Sequence, residues 1–482
     1  MGVGGVFASI AAQLLGLTSL TLVVLASLFY GWKDPSKVTS SDLDKARREL
    51  WSLSETEDGL HHLFLDVSEG TRLHYLSSDL SHQSNLVIFL HGFPDSCHLF
   101  SRYLKLDIAD TAFVSLDLPG YGGSDGLTGY GSDQVLNTLV KAFVELRRKH
   151  LSNATTDAVV SAQKCVLVSH DWGGVIAFRL AKETHRLFDR VIIMNSISIE
   201  LAAKNIRERV SSAYHNYKKW FTSGFDDEIS QRASDDLQPV LTQLRKSHYI
   251  FMFQSFLPVG DLFPSAMQFM VNACHNMVLH PLKQVSELTS TALKARHMAA
   301  SEGPGIPECF EHGMDPNYGW SVKLRAKAQL AGHWNERIRL YSDGLAFDSW
   351  NASSEISHYT NAPDTSQSAD GVTSLFQYPI SIIFGMKDTA LDYRIAIDGI
   401  EDYFREQPDD SPTVDPKHDN HILRLRDCGH WTPLESDGAA VLEGLLRWEL
   451  QEDASGKGEY KSLASFLQRE PVKSDEVAPA AT

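Results

Sequence analysis

The chain has 482 residues, 43% hydrophobic and 22% charged, a globular profile with enough apolar side chain for a full-sized core. Lys and Arg number 44 against 61 Asp and Glu, and the formal net charge of −17 with no basic stripe excludes a nucleic-acid binder. Five scattered cysteines without a CxxC pair exclude a disulfide-dense scaffold and a structural zinc site.

The first predicted element is the most apolar. Residues 1–32 carry no charge, and Val6 to Tyr30 runs through Leu14, Leu15, Leu17, Leu20, Leu22, Val23, Val24, Leu25, Leu28 and Phe29. As a helix that stretch is roughly 37 Å long against a hydrocarbon core of roughly 30 Å, so residues 6–30 are expected to form a transmembrane anchor. Tyr30 and Trp32 fall where an interfacial aromatic belt would lie. A cleaved signal peptide is the main rival, and the charged n-region it wants is absent; a buried core helix is the other reading, for which a wholly apolar segment at the extreme terminus is a poor candidate. Lys33, Lys37, Lys45, Arg47 and Arg48 follow, which places the body on the cytosolic side of a single-pass protein with the bilayer as partner. Sequons at Asn153 and Asn351 would matter only for a luminal body.

From about residue 60 short apolar runs alternate with helix-length segments. Leu86–Leu90, Phe113–Leu118, Cys165–Val168 and Val191–Met194 read as buried strands, with helices over 133–150 and 174–186 between them. This is the grammar of a mostly parallel sheet covered by helices. Residues 199–370 form a predicted helical insertion, since 200 to about 350 is periodic and aromatic with no strand signal. Strands resume at Ile380–Phe384 and Ile422–Leu425, and helix 437–450 closes the core. Residues 351–373 and 405–420 read as exposed excursions, and 466–482 as a disordered tail. The expected organisation is thus an anchor (6–30), an α/β core in two parts (45–198 and 371–465), a helical cap between them and the tail.

The segment Cys165-Val-Leu-Val-Ser-His-Asp171-Trp-Gly-Gly174 runs a strand directly into a small-x-Asp-x-Gly turn and a helix. This is a nucleophile elbow with Asp171 where Ser is usual. An attacking carboxylate forms an ester with the substrate that water must then cleave. An Asp that merely caps the helix would not account for the strand and the two glycines. Phe89-Leu-His91-Gly-Phe93-Pro94-Asp-Ser96 ends another strand, and the Phe93 and Trp172 N–H groups are expected to make an oxyanion hole beside it. Asp117-Leu-Pro-Gly-Tyr-Gly-Gly-Ser-Asp125 has no Walker lysine and reads as scaffold. A water-activating base and its orienting acid are expected late in the chain, at His430 (Asp427-Cys-Gly-His430-Trp) and Asp388 (Phe384-Gly-Met-Lys-Asp388), with Asp392 and Asp398 as weaker rivals. His61, His62 and His312 read as incidental.

HGFPDS at 91–96, DLPGYGGSD at 117–125, HDWGG at 170–174, KD at 387–388 and GHW at 429–431 together resemble the α/β-hydrolase fold epoxide hydrolases, of the membrane-anchored eukaryotic type. The resemblance covers roughly 45–455. It implies an α/β-hydrolase fold with a helical cap, and endoplasmic reticulum as the membrane. Asp171 then looks like the nucleophile, His430 the base, Asp388 its partner, and His91 to Pro94 the family's HGxP turn. Ser247-His-Tyr249-Ile-Phe-Met-Phe-Gln254, followed by Leu257-Pro, resembles the cap segment whose tyrosine holds the epoxide oxygen, which implies that role for Tyr249. The family's second tyrosine usually lies in a Tyr-Tyr-Arg or Trp-Tyr-Arg triplet, which is missing. Tyr341 fills the place if any residue does, with Tyr359 a remoter choice. Asn195-Ser-Ile-Ser also lacks the family's Asn-x-Pro.

The expected reaction is hydrolysis of an apolar, lipid-like or xenobiotic epoxide to a vicinal diol, with no metal, cofactor or obligate protein partner. A phenol can give a proton to the strongly basic alkoxide while staying protonated at neutral pH. Alternatives are a haloalkane dehalogenase, another ester or lactone hydrolase working from Asp171, or an inactive membrane-tethered binding protein. A serine hydrolase is excluded, because no Ser occupies the elbow.

Overall fold

The computed structural model describes all residues except 1–2, 31–37, 55–58, 69, 79–80, 152–162, 255–261, 283–289, 312–316, 329–331, 361–374, 405–419, 451–476 and 480–482. The Asn153 sequon, the Leu257-Pro pair, His312 and most of both predicted excursions lie outside the described residues.

Nine strands form one sheet in the order β1-β2-β4-β3-β5-β6-β7-β8-β9. Strands β1 (His61–Ser68) and β2 (Thr71–Ser77) make an antiparallel hairpin. Strands β3 (Asn85–Leu90), β4 (Thr111–Leu116), β5 (Lys164–His170), β6 (Arg190–Met194), β7 (Ile380–Gly385) and β8 (His421–Leu425) run parallel to their neighbours among them. Within the tail expected to lack structure, Val477–Pro479 forms β9 and pairs antiparallel with β8, whose backbone groups would otherwise form an open edge.

The parallel strands are mostly apolar because helices cover both faces, and the polar residues within them, such as Arg190, are paired. Leu86, Ile88 and Leu90 of β3 point into one core layer, while Val87 and Phe89 point into the other. The first layer is closed by α3 (Ser132–His150) and α4 (Trp172–Glu183), and the second by α2 (Ser40–Trp51) and α12 (Ser436–Leu450). A buried ion pair ties α12 to the sheet. Glu449 accepts from Arg190 Nε at 2.8 Å, and both side chains are almost fully enclosed.

No strand lies between β6 and β7 among the described residues. The chain there builds the cap from α5 (Ile199–Thr222), α6 (Asp227–Lys246), α7 (His248–Phe253), α8 (Pro264–Leu282), α9 (Ser290–Glu302), α10 (Trp320–Lys327) and α11 (Arg339–Ser342).

The apolar N-terminal segment forms α1 (Val3–Tyr30), which packs against α7 and α8 of the cap. Among the described residues no helix is long and apolar enough to cross a membrane. The expected anchor over 6–30 is therefore corrected, and with it the membrane-anchored family type, the bilayer as partner, and the single-pass placement in the endoplasmic reticulum with a cytosolic body. The physical reason is that α1 is not uniformly apolar. Ser19 and Leu20 are buried on the protein, Gln13 Nε2 donates to the Gln254 carbonyl at 3.3 Å, and Thr18, Thr21 and Ser27 return their hydroxyls to the helix's own carbonyls.

Removing one partner of a buried ion pair strands the other charge, a loss of about 3–5 kcal/mol. Glu449→Ala is expected to lower unfolding stability by that order in urea titration, and a change under about 0.5 kcal/mol, the ordinary scatter of surface substitutions, would contradict the anchoring role.

Candidate active site

The site lies at the carboxyl ends of β3, β5, β7 and β8. The strand order reverses between β3 and β5, where the chain leaves β4 on one side and β5 on the other, and crevices form at such points. At the end of β5 the backbone turns sharply into α4 through Asp171, at φ 52° and ψ −119°. That is a conformation non-glycine residues seldom adopt, and such strain gathers at functional sites. The turn fits because its neighbours are small. A Cβ at Gly173 would strike the Leu90 and His91 carbonyls, and one at Gly92 would strike the Asp171 carboxylate. The Ser196 hydroxyl donates to the Asp171 carbonyl at 2.7 Å.

The two carboxylate oxygens of Asp171 have different surroundings. Oδ1 accepts the Phe93 N–H at 2.7 Å, and the Trp172 N–H also donates to the carboxylate. Oδ2 faces His430 Nε2 at 3.7 Å. Burial raises the Asp171 pKa above its ordinary value, opposed by His430 and the two N–H groups. The Phe93–Pro94 bond is cis. His91 turns away from the crevice: its Nε2 accepts from the Leu118 N–H at 3.0 Å and its Nδ1 donates to the Gly92 carbonyl at 2.8 Å. The Pro94 carbonyl accepts from Ser301 on α9 at 2.6 Å. These two residues hold the turn that aims the Phe93 N–H.

His430 Nδ1 donates to Asp388 Oδ2 at 2.9 Å, an assignment that follows because an ionised carboxylate only accepts. Burial alone would depress the ring's pKa, but Asp388, Asp171 and Asp95 outweigh it and hold it at about 9. Burial likewise opposes the charge on Asp388, yet His430, the Asn195 amide and the Leu391 N–H keep its pKa below the usual carboxylate value. Asp392 is occupied elsewhere, pairing with Arg394 at 2.7 Å, and Asp398 pairs with Arg209 at 3.2 Å.

Several supporting groups went unrecognised in the sequence. Asn195 donates to Asp388 Oδ2 at 2.7 Å and accepts from the Gly385 N–H at 3.0 Å and the Thr432 hydroxyl at 2.5 Å, so it locks the acid to the end of β7. Lys246 donates to the Asp388 carbonyl at 2.7 Å, and His170 Nε2 to the His430 carbonyl at 2.9 Å. Asp95 accepts from the Trp431 indole at 3.0 Å, and burial pushes its pKa up to about 7. Asn195 stands where the family's Asn-x-Pro falls and Asp95 lies within the 91–96 motif, but neither place disclosed the role, and Lys246 has no distinctive spacing.

A cavity of about 630 Å³ opens above Asp171 and His430, lined mainly by apolar side chains and by Tyr249. Tyr341 stands edge-on to Trp172, with ring centroids 4.7 Å apart, and 6.2 Å from Tyr249. Burial raises the pKa of both phenols, and the nearby Asp171 charge adds to it. Tyr359 lies away from this group, its carbonyl accepting from the His185 N–H at 2.8 Å.

Beneath the 91–97 turn, His74, Cys97 and Asp117 bring three metal-ligand-type atoms within 4.8 Å of one another. Their valences are already used. Asp117 Oδ2 accepts from His74 Nδ1 at 2.7 Å and the Gly123 N–H at 2.8 Å, and its Oδ1 accepts from the Cys97 N–H at 2.7 Å. Burial raises the Cys97 thiol's pKa well above normal, which keeps it neutral and a poor ligand. His62, read from the sequence as incidental, joins this network through His74 at 2.8 Å. The cluster is a scaffold that fixes the end of β4 against the turn.

The model of the alpha/beta hydrolase family matches residues 87–443. Epoxide hydrolase 3 of Xenopus tropicalis is 28% identical over 204 residues, 42% of this chain and 43% of that protein. A haloalkane dehalogenase of Psychrobacter cryohalolentis is 32% identical over 143 residues, 28% of this chain and 42% of that protein. The chain thus spans less than half the length of these curated relatives. Among solved structures, an epoxide hydrolase from Bacillus megaterium aligns with a TM-score of 0.46 at 18% identity, over 81% of this chain and 100% of that one.

Because the His430 pKa is raised from 6.5 to about 9, its ion pairs stabilise the fold fully below about 6.5 and fade as the pH rises through 9. The His430 imidazole is expected to titrate near 9 by NMR, and Asp388→Asn to bring that midpoint down. A wild-type midpoint near 6.5 would contradict this charge arrangement.

Proposed function

The chain belongs to the alpha/beta hydrolase family, and from that premise we propose that it is an epoxide hydrolase that opens apolar epoxides to vicinal diols through an ester on Asp171. One observation carries the reading. Asp171 has one oxygen held by backbone N–H groups and the other free to face both the cavity and His430.

In the first step Asp171 Oδ2 attacks a ring carbon and the carbon–oxygen bond of the epoxide breaks. Tyr249 and Tyr341 stabilise the leaving oxygen, which takes a phenolic proton that solvent later restores. Their raised pKa values keep both phenols protonated until the alkoxide forms. Ring strain offsets the modest nucleophilicity of a carboxylate.

Esterification removes the negative charge of Asp171, which was helping to hold the proton on His430. The ring's pKa then falls, and neutral His430 Nε2 can take a proton from water. Water adds to the Asp171 carboxyl carbon, and the resulting oxyanion on Oδ1 sits where the Phe93 and Trp172 N–H groups already point. Collapse breaks the bond to the substrate oxygen, which takes the remaining proton of the added water, so that the diol leaves and Asp171 is again a carboxylate beside protonated His430. Asp388, fixed by Asn195, keeps the ring oriented throughout. Dehalogenation would use the same Asp171 and His430, with the Trp172 indole as a halide donor. Phe93 offers no side-chain donor to help it, and two phenols suit an alkoxide better than a halide.

Incubating His430→Gln with styrene oxide should trap the ester, seen by intact-mass analysis as a gain equal to the epoxide, mapped to Asp171 and absent in Asp171→Asn. A folded protein with no adduct, together with no diol from wild type, would overturn the reading. Tyr249→Phe should lower kcat/KM about 10²-fold, as loss of a positioned acid does. Unchanged kcat/KM would remove Tyr249 from the mechanism.

A further inference from the structure

The cavity over Asp171 is not closed by the cap alone. Leu22, Val23 and Ala26 of α1 line it together with Asp171, Tyr249 and His430. The same helix reaches the tyrosine-bearing segments by hydrogen bonds. Gln13 donates to the Gln254 carbonyl at the end of α7, and the Gln254 side chain donates to the Tyr341 carbonyl at 2.9 Å. Leu20 is buried at this contact, and Val23 and Val24 pack with Tyr249 in the same apolar cluster. Leu25, the residue before Ala26, is exposed and does not line the cavity.

We propose that α1 is a wall of the substrate cavity and that Val23 and Ala26 determine the size of the apolar substituent accepted beside the reacting epoxide. This rests on the assignment of Asp171 as nucleophile in so far as turnover is concerned, but the wall itself is a matter of binding. The position of Ala26 limits the argument to size and shape. Ala26 carries only a methyl, and the residues beside it on the α1 wall, Leu22 and Val23, are apolar, whereas the cationic lining residues Arg245 and Lys246 come from the cap. The group accommodated there is therefore apolar and bulky, such as an aryl ring. One methylene in an apolar pocket is worth about 10–200-fold in discrimination, so a phenyl ring placed in that space should exclude a second aryl group outright.

The test uses the full chain and compares styrene oxide, with one aryl group, to trans-stilbene oxide, with two. In Ala26→Phe the kcat/KM ratio of stilbene to styrene oxide is expected to fall at least tenfold, carried by KM, and in Val23→Ala it is expected to rise. Leu25→Phe, at an exposed position on the same helix, should leave the ratio unchanged and controls for a general disturbance of α1. Fluorescence titration with trans-stilbene, which has no epoxide, gives a readout that does not need catalysis. Its Kd should weaken at least tenfold in Ala26→Phe relative to wild type and Leu25→Phe, with circular dichroism melting verifying that each variant is folded. Equal selectivity and equal stilbene affinity across the four proteins would overturn the proposal. Selective loss of stilbene binding with no diol from any protein would instead leave the wall in place and overturn the catalytic reading on which the turnover arm rests. If Ala26→Phe does not fold, Val23→Ala against Leu25→Phe decides the matter alone.

Discussion

Three carboxyl groups, Asp171, Asp388 and Asp95, surround the imidazole of His430 at the foot of the cavity. Like charges so close raise one another's pKa unless something compensates, and here the compensation is specific to each group. His430 Nδ1, Asn195 and two N–H groups serve Asp388, the Phe93 and Trp172 N–H groups serve Asp171, and the Trp431 indole serves Asp95. The ring shares its proton with this cluster, which is why it holds that proton so far above its ordinary range. Neutralising any one carboxylate weakens the ring's hold on its proton. In the proposed mechanism, that coupling lets one His act as counter-ion before ester formation and as base after it.

The fold supplies this arrangement through strand ends. Four parallel strands stop at the same level, and each delivers one piece: the Phe93 turn from β3, Asp171 from β5, Asp388 from β7 and His430 from β8. The strands themselves are mostly apolar and similar in character. The chemistry resides in the few residues beyond each end, where tight turns and close backbone contacts fix the geometry. The cap adds the phenols from above, and α1 packs against the segments that carry them.

Much of this was legible in the sequence because buried parallel strands are short, apolar and bounded by turn residues. Leu86–Leu90 and Val191–Met194 each fall within a strand one residue longer. The β1–β2 hairpin was not legible, since His61, His62, Asp66, Arg72 and His74 interrupt its apolar alternation. The α2 helix escaped for a similar reason, being rich in charge, with only Ala46, Leu50 and Trp51 buried. The α1 helix was misjudged in the opposite direction: composition registers its leucines, whereas its place against the cap rests on the burial of Leu20 and on Gln13 meeting Gln254, 241 residues away. Motif spacing singled out Asp171, Asp388 and His430 as candidates because elbow and strand-end turns have local signatures, and the structure brings the three together. It could not reveal Asn195 or Asp95, whose roles arise only when distant strand ends converge.

The central claim, that the Asp171 carboxylate and not water forms the bond to the substrate carbon, is tested most directly by a single turnover of excess wild-type enzyme with styrene oxide in H₂¹⁸O. The account predicts a diol whose new oxygen is unlabelled, because it comes from Asp171, with the ¹⁸O appearing in the Asp171 carboxylate by peptide mass analysis. A first-turnover diol carrying ¹⁸O, with Asp171 unlabelled, would mean that water attacks the epoxide directly and would contradict the account.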